Sequence, residues 1–268
     1  MTLIHLILLA LIQGLTEFLP VSSSAHLILP AKILGWQDQG PLIDVMAHFG
    51  TLFAVIGYFW RDVLSVLGGL VDLLKRRLNT GSVLALNLIL ATPPALIIGA
   101  AMHFSGLDEL IRSPLLIACT FIIFGIILWW ADIKGARDRH IDTMNWKNAI
   151  NMGLAQSLAL IPGTSRSGIT MTAALAMGFT REESARFSML MSIPIIAVGG
   201  LFSIVKLAGA DAGGANLTDG LIVAVLSFFA AYVAIAIFMK WVARIGMFPF
   251  MVYRVVAGTA LLVYLVVT

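Results

Sequence analysis

The sequence predicts an all-α integral membrane fold, an inverted-topology repeat in which each unit has a re-entrant helical hairpin and three transmembrane helices. Three observations support this prediction. The chain of 268 residues is 60% hydrophobic and only 12% charged, with a mean hydropathy of +0.98, a composition typical of integral membrane proteins. Six apolar segments are long enough to cross a bilayer. Two further apolar segments are each interrupted at the middle by proline and a serine-rich turn.

The six predicted spans can each cross about 30 Å of hydrocarbon as a helix. They are residues 42–60, 82–103, 114–131, 184–207, 218–239 and 248–267. The interrupted stretches 2–34 and 148–179 leave only half-length helices on either side of their turns. Because broken backbone is tolerated at membrane depth only where protein or water covers it, we expect both to be re-entrant hairpins. The segment 61–81, where leucines are interleaved with charged residues, is expected to lie as an interfacial helix.

Loop charge predicts the orientation, because lysine and arginine concentrate on the cytoplasmic side. If 61–81 is cytoplasmic, then 132–147, 179–186 and 240–247 lie on the same side. These regions hold twelve basic residues, namely Arg61, Lys75, Arg76, Arg77, Lys134, Arg137, Arg139, Lys147, Arg181, Arg186, Lys240 and Arg244. The opposite face keeps Lys32, Arg112 and Lys206. This bias indicates six spans, two re-entrant hairpins and both termini outside.

The span count also predicts an internal repeat within a single membrane domain, residues 1–268. Unit one covers about 1–131 and unit two about 148–268, and each has one hairpin and three spans. An odd number of crossings inverts the second unit relative to the first, as in many transporter folds. The two hairpins then enter from opposite sides, and their tips can meet around one shared site.

The charge and the cysteine content exclude a nucleic-acid surface and an internal disulfide. The net charge of +3 is small and its basic residues sit in short loops, which indicates topology signals and no nucleic-acid surface. Cys119 is the single cysteine of the chain, so no internal disulfide can form, and we expect it to pack within its span.

The first interrupted stretch carries polar residues around its turn. Gln13 and Glu17 are four residues apart and share one face of a helix. Pro20 ends that helix, and a run of serines stands where the next one begins: Ser22, Ser23 and Ser24. Free backbone N–H groups and the helix dipole make such a start an anion site. His26 lies one turn further on and is suited to proton transfer or nucleophilic attack.

The second interrupted stretch has the same pattern, a broken helix followed by hydroxyl side chains, but its charged group is an arginine. Pro162 and Gly163 break the chain, and hydroxyls follow at Thr164, Ser165, Ser167 and Thr170. Arg166 adds a planar fork of donors that matches phosphate oxygens. Arg254, within the last span, is expected to be a second arginine of the site, and His48 is a candidate to line it. Such groups are costly at membrane depth unless they face protein, water or ligand.

Together the two turns offer an anion clamp, a nucleophile, a proton carrier and a metal ligand, the groups that phosphoryl transfer requires. A transporter of an organic anion could use the same clamp without chemistry. A structural membrane subunit would leave the two polar turns without a cause.

At these residues the chain resembles the undecaprenyl-diphosphate phosphatase family, bacterial membrane enzymes associated with bacitracin resistance. The likeness rests on Gln13-x-x-x-Glu17 with His26 downstream, and on the P-G-x-S-R-S-x-x-T run at 162–170. It implies hydrolysis of undecaprenyl diphosphate to undecaprenyl phosphate plus phosphate, at a site open to the outer face of the plasma membrane. The implied partners are the bilayer and the polyprenyl diphosphate lipid, for which bacitracin competes, and a homodimer is left open. The alternative function is a transporter or flippase of polyprenyl phosphate or another organic anion.

The resemblance also implies residue roles. Glu17 resembles the carboxylate that handles metal or protons, His26 the essential histidine and Arg166 the phosphate clamp, while the choice between Ser23 and His26 as nucleophile stays open. The expected substrate-binding residues are Gln13, Ser22, Gly163, Thr164, Ser165, Thr170 and Arg254. Many members carry a glutamate where this chain has Gln13, so a divalent cation, Mg²⁺ or Ca²⁺, is expected to depend on Glu17 and the diphosphate, with no all-protein cage.

Overall fold

The computed structural model describes residues 2–34, 40–107, 111, 113–208 and 217–267, with side chains left aside at 30–34 and 206–208. Within these ranges the regular structure is helical, apart from one isolated bridge between Arg139 and Phe179. The prediction of an all-helical fold is therefore confirmed.

The helices follow one another in the order α1 (Leu3–Thr16), α2 (Ser23–Leu34), α3 (Pro41–Tyr58), α4 (Trp60–Leu74), α5 (Thr80–Ala91), α6 (Pro93–Ser105), α7 (Pro114–Lys134), α8 (Trp146–Ser157), α9 (Arg166–Ala176), α10 (Arg181–Ala208), α11 (Leu217–Ile245) and α12 (Phe248–Val267). Six segments are long and apolar enough to cross a membrane: α3, α5 with α6, α7, α10, α11 and α12. They coincide with the six predicted spans, and the chain is a multi-pass membrane protein.

The second span differs from its prediction, because the helix over 82–103 is interrupted at Thr92. Pro93 has no backbone N–H and restricts the residue before it, which ends α5 and begins α6. The Thr92 hydroxyl donates to the carbonyl of Leu88 at 2.7 Å and satisfies one backbone acceptor at the break in the helix.

The segment 61–81 contains most of α4, which ends at Leu74. Cys119 is a free, half-buried cysteine within α7, as expected.

The helices that carry the polar turns pack closely through small residues. A Cβ atom on Gly14 of α1 would collide with Ala230 and Ser227 of α11. A Cβ on Gly50 of α3 would likewise strike the carbonyl of Ala224. Close backbone contact of this kind favours helix association in lipid, where burial of apolar surface contributes little free energy of association. The packing of α1 and α3 against α11 fixes one wall of the site.

The turns of the two interrupted stretches contact each other. Residues 17–22 separate α1 from α2, and 158–165 separate α8 from α9. The Ser167 hydroxyl, at the start of α9, donates to the carbonyl of Leu19 in the first turn at 2.9 Å. The sequence prediction that the two turns share one place in the fold is consistent with this contact.

Ion pairs connect several helix ends at one end of the bundle, opposite to the end where α3 begins at Pro41. Arg181 donates to both oxygens of the buried Asp132, at 2.6 and 2.9 Å, and the amide of Met247 donates to the same carboxylate at 3.0 Å. Arg186 pairs with Asp62. Regions that loop charge assigns to one side thus lie at one end of the structure. The opposing residues of that count, Lys32, Arg112 and Lys206, lie outside the described side chains.

Candidate active site

The two turns share an unusual backbone conformation. Ser22 has φ of 71° and Ser165 has φ of 72°, values that few residues other than glycine adopt. Each serine directly precedes a helix, so Ser23 and Arg166 are the first residues of α2 and α9. The Ser165 hydroxyl caps its helix by accepting from the amide of Gly168 at 3.1 Å. The turns therefore place a hydroxyl and a guanidinium at equivalent positions.

Glu17 is the point at which the turns meet. Its Oε2 accepts from Gln13 Nε2 at 3.1 Å and from Ser23 Oγ at 2.7 Å. Its Oε1 lies 3.5 Å from Nη2 of Arg166, across 149 residues of sequence. The side chain is only 7% exposed, and a buried carboxylate is stable only when donors surround it. These three donors hold Glu17 in one orientation.

Arg166 is held by a backbone carbonyl of α10 and by the carboxylate of Glu17. Nη1 donates to the carbonyl of Ser188 in α10 at 3.1 Å, and Nε has no partner among the described residues. Thr170 supports this arrangement, because its Oγ1 donates to the Arg166 carbonyl at 2.8 Å and lies 2.6 Å from the Ser188 hydroxyl. The Arg166 side chain is 13% exposed, so only a small part of it is accessible.

A cavity of about 440 Å³ opens over these groups. The turns contribute Glu17, Ser22, Ser23, Ser24, Ser165 and Arg166 to its wall. Helix α3 adds Asp44 and His48, and α10 adds Ile195, Ile196, Gly199, Gly200 and Ser203. One wall is polar with helix starts behind it, and the other is largely apolar. A cavity of this kind suits an anionic head group attached to an apolar chain.

Several expected substrate-binding residues lie behind the cavity wall. Gln13 holds Glu17, and Thr170 supports Arg166, as described above. Gly163 and Thr164 face the protein interior, where a Cβ atom on Gly163 would collide with the Thr120 hydroxyl. Ser22 and Ser165 do line the cavity, so their substrate contacts stay a prediction.

Arg254, expected as a second arginine at the substrate, does not line the cavity and instead joins the two turns. It is fully buried, and its guanidinium donates only to backbone carbonyls. The acceptors are Phe121 at 3.2 Å, Pro20 at 3.4 Å, Thr164 at 3.0 Å, Thr120 at 3.1 Å and Gly163 at 2.8 Å. Because these carbonyls belong to both turns and to α7, Arg254 fixes the turns in relation to each other.

His26 is also engaged by the protein. Its Nδ1 lies 2.8 Å from the Ser22 carbonyl, and its Nε2 hydrogen-bonds the hydroxyl of Tyr253. A carbonyl only accepts, so Nδ1 carries the proton and the neutral ring accepts from Tyr253 at Nε2. His26 does not line the cavity described above, and its expected chemistry stays a prediction.

Sequence reasoning missed the parts of the site that come from the long spans. Ser188 and Asp44 were not among the expected residues, and His48 was only a candidate. Asp44 and His48 are four residues apart, which places them on one helix face. Two polar residues with this spacing in an apolar span were the sequence signal for the part of the site on α3. The Gly199–Gly200 pair was the signal for the part on α10.

Replacing Arg254 by lysine should destabilise the whole protein, because a single ammonium cannot reach five carbonyls spread over two turns. We expect R254K to lower the free energy of unfolding by roughly 3 kcal/mol, seen as a lower Tm in detergent. R244K, at an exposed position near the end of α11, is the matched control and should keep the native Tm. An unchanged Tm in R254K would contradict the structural role assigned to this arginine.

Comparison with known proteins identifies the family. Residues 6–260 match the family model described as bacitracin resistance protein BacA. The chain is 54% identical to undecaprenyl-diphosphatase of Maricaulis maris, with 99% of this chain and 100% of the relative covered. It is 50% identical to undecaprenyl-diphosphatase of Ruegeria pomeroyi, with 98% of both chains covered. With undecaprenyl-diphosphatase 1 of Pseudoalteromonas translucida it shares 49% identity over 99% of both chains. The chain belongs to the bacitracin resistance protein BacA family.

Proposed function

We propose that this chain is an undecaprenyl-diphosphatase, which hydrolyses undecaprenyl diphosphate to undecaprenyl phosphate and phosphate and so recycles the lipid carrier for cell-wall synthesis. The observation that carries the proposal is the convergence of Ser23 and Arg166 on Glu17 at the wall of a partly apolar cavity. The names of relatives at about half identity over the whole chain support the same reaction. Transport of a polyprenyl phosphate, the alternative from sequence, has no specific observation in its favour in the described part of the chain.

In the proposed reaction, Ser23 attacks the terminal phosphorus of the lipid diphosphate. Its Oγ lies 2.7 Å from Oε2 of Glu17, so the carboxylate can take the proton as the Oγ–P bond forms. The bond from phosphorus to the bridging oxygen breaks, and undecaprenyl phosphate leaves. Water then attacks the phosphorus of the phosphoserine and its protons stay on the phosphate, the Oγ–P bond breaks, and Glu17 returns its proton to Ser23 Oγ. Ser23 is preferred to His26 as nucleophile because Ser23 lines the cavity and has a base beside it.

Arg166 is the proposed phosphate anchor. Its side chain lines the cavity, and its Nη2 is only loosely engaged by Glu17, at 3.5 Å. The starts of α2 and α9 also face the cavity, through Ser23 and Arg166 themselves. Fixed N–H groups and a guanidinium near the transferring phosphoryl group stabilise the charge that builds in the transition state.

A divalent cation, Mg²⁺ or Ca²⁺, is part of the proposal, with Glu17 as its protein ligand. The described residues contain no group of three or more His, Cys, Asp or Glu side chains placed to hold a metal. Glu17 can therefore offer one ligand, and diphosphate oxygens and water would supply the others, as is common for Mg²⁺ at phosphates. The cation would neutralise diphosphate charge while the chain positions the head group.

We also propose that α1–α2 and α8–α9 are re-entrant hairpins of an inverted repeat, with the cavity open to the outer face and both termini outside. The first helix of each hairpin packs on spans of the other unit, α1 on α11 and α8 on α5 and α6. The cavity is lined by the first half of α3 and the second half of α10. Those halves lie toward loops that carry few basic residues, which favours the outer face.

Three variants test the reaction. E17Q removes the base, S23A the nucleophile and R166K the planar anchor, so each should lower kcat for phosphate release by about 10²- to 10⁴-fold. Phosphate released from a polyprenyl diphosphate by purified protein in detergent is the measurement. E182Q, which alters a carboxylate outside the cavity, should keep native turnover. Near-native turnover in the three site variants, or no release by the native protein, would defeat the assignment.

Removal of divalent cations should stop phosphate release, because Arg166 alone cannot offset the negative charge of Glu17 and a bound diphosphate. We expect EDTA to abolish turnover and added Mg²⁺ or Ca²⁺ to restore it, while E17Q is not rescued by either ion. Full turnover in EDTA would rule out the proposed cation.

The proposed orientation predicts which loops a membrane-impermeant thiol reagent reaches. In a C119S background, S113C should be labelled in intact cells, since it lies in the loop before α7. D138C, in the exposed loop after α7, should be labelled only after the cells are permeabilised. Labelling of D138C in intact cells would reverse the orientation.

A further inference from the structure

We propose that Gly199 of α10 determines specificity for the polyprenyl chain of the substrate, because the chain leaves the cavity over this glycine, where no side chain obstructs it. The inference rests on the proposed function, since it concerns the lipid chain attached to the same head group. It leaves the roles of Ser23, Glu17 and Arg166 unchanged.

Two neighbouring glycines of the cavity wall have different surroundings. Gly199 and Gly200 both line the cavity from the second half of α10. A Cβ atom on Gly200 would lie 3.1 Å from Cζ of Phe49, so this glycine lets α10 pack closely against α3. A Cβ atom on Gly199 would meet no atom of the described residues within 4 Å. The wall is therefore closed at Gly200 and open at Gly199.

Neither packing nor backbone conformation requires a glycine at position 199. The residue lies within α10, which continues to Ala208, and its φ is not in the left-handed region. Glycine inside a helix lowers stability relative to alanine, and no neighbour in the described chain would exclude a methyl group there. The space beside Gly199 is therefore available to a ligand.

Gly199 stands at the border between the cavity and the outer surface of the bundle. On α10 the cavity is lined at helical spacing by Ile195, Gly199 and Ser203. On the adjoining face of the same helix, Val198 is 45% and Phe202 is 53% exposed. Because α10 is an apolar span, these exposed side chains would face lipid tails. A chain that passes over Gly199 therefore goes directly from the cavity to the bilayer.

The neighbouring spans give this path a direction. Gly200 faces Phe49 of α3, whereas Phe202 lies about 200° further around the helix. The ring of Phe202 contacts that of His103 in α6, with 5.6 Å between their centroids. Helix α6 therefore borders the proposed path on the side opposite to α3. Ala159 of the second turn also lines the cavity.

The head group and the chain of the substrate would thus occupy separate parts of one cavity. The diphosphate is proposed to lie at the helix starts, beside Ser23 and Arg166, and the chain along the apolar wall of α10. A polyprenyl chain carries a methyl branch in each unit, so it is wide as well as long. A bulky side chain at position 199 would take the same space and should weaken binding of the chain without weakening that of the diphosphate.

The test compares G199L with the native protein, using two probes that cannot be hydrolysed. One is methylenediphosphonate, a head group without a chain, and the other is the same diphosphonate carrying a farnesyl chain. Calorimetry in detergent gives Kd for each probe. In G199L we expect Kd of the farnesyl compound to rise at least about 10-fold and that of methylenediphosphonate to change less than about 2-fold. The ratio of the two Kd values is compared between variants, so partition of the chain into detergent cancels.

G68L is the matched control. Gly68 is also a glycine inside a helix, α4, and its Cβ would meet no described atom within 4 Å, but it does not line the cavity. G68L should keep the native ratio of Kd values. If G199L does not fold in detergent, G199V, with a shorter side chain, replaces it.

A native ratio of Kd values in G199L, an equal rise of both Kd values, or the same change in G68L would overturn the inference, even if phosphate release is normal. Selective loss of the farnesyl compound in G199L supports the inference whether or not hydrolysis occurs. If the native protein binds that compound but releases no phosphate from farnesyl diphosphate, the proposed function alone is overturned.

Discussion

The contact on which the site depends is the one between Glu17 and Arg166. A carboxylate and a guanidinium are both costly at membrane depth, and each lowers the cost of the other. Glu17 also accepts from Ser23, so one carboxylate joins a charged group from one turn to a hydroxyl from the other. The interrupted helices follow from this requirement, because an unbroken span could not present two helix starts to a single carboxylate. Small residues at Gly14 and Gly50 then let α1 and α3 approach α11 closely.

The two buried arginines have different roles, one at the cavity and one between the turns. Arg166 pairs with Glu17 and lines the cavity, while Arg254 donates to carbonyls of both turns and of α7. The positive φ of Ser22 and Ser165 costs about 1 to 3 kcal/mol at each position, and the hydrogen bonds from Arg254 help to hold that conformation. A ligand anchor thus rests on a second arginine that holds the backbone and lies behind the cavity wall. This division explains how two turns of irregular backbone are held together beside the proposed phosphate site.

Much of this could be predicted from the sequence, and the remainder depends on packing. Hydropathy located the spans because lipid requires long apolar helices, and Glu17 and Arg166 stood out because charge is rare in such segments. The break at Thr92 was readable from Pro93 but was missed because hydropathy ignores backbone chemistry. The contrast between Arg254 and Arg166, and between His26 and His48, was not accessible. It depends on which neighbour each side chain meets, and only the folded arrangement determines that.

The most direct test of the central claim is a double-mutant cycle for phosphate release with E17Q, R166K and the combined variant. If the two residues act through one contact, the double variant should lose no more kcat than the more damaged single variant. If the residues act separately, the two losses multiply, and that result would contradict the claim that the site depends on the contact between Glu17 and Arg166.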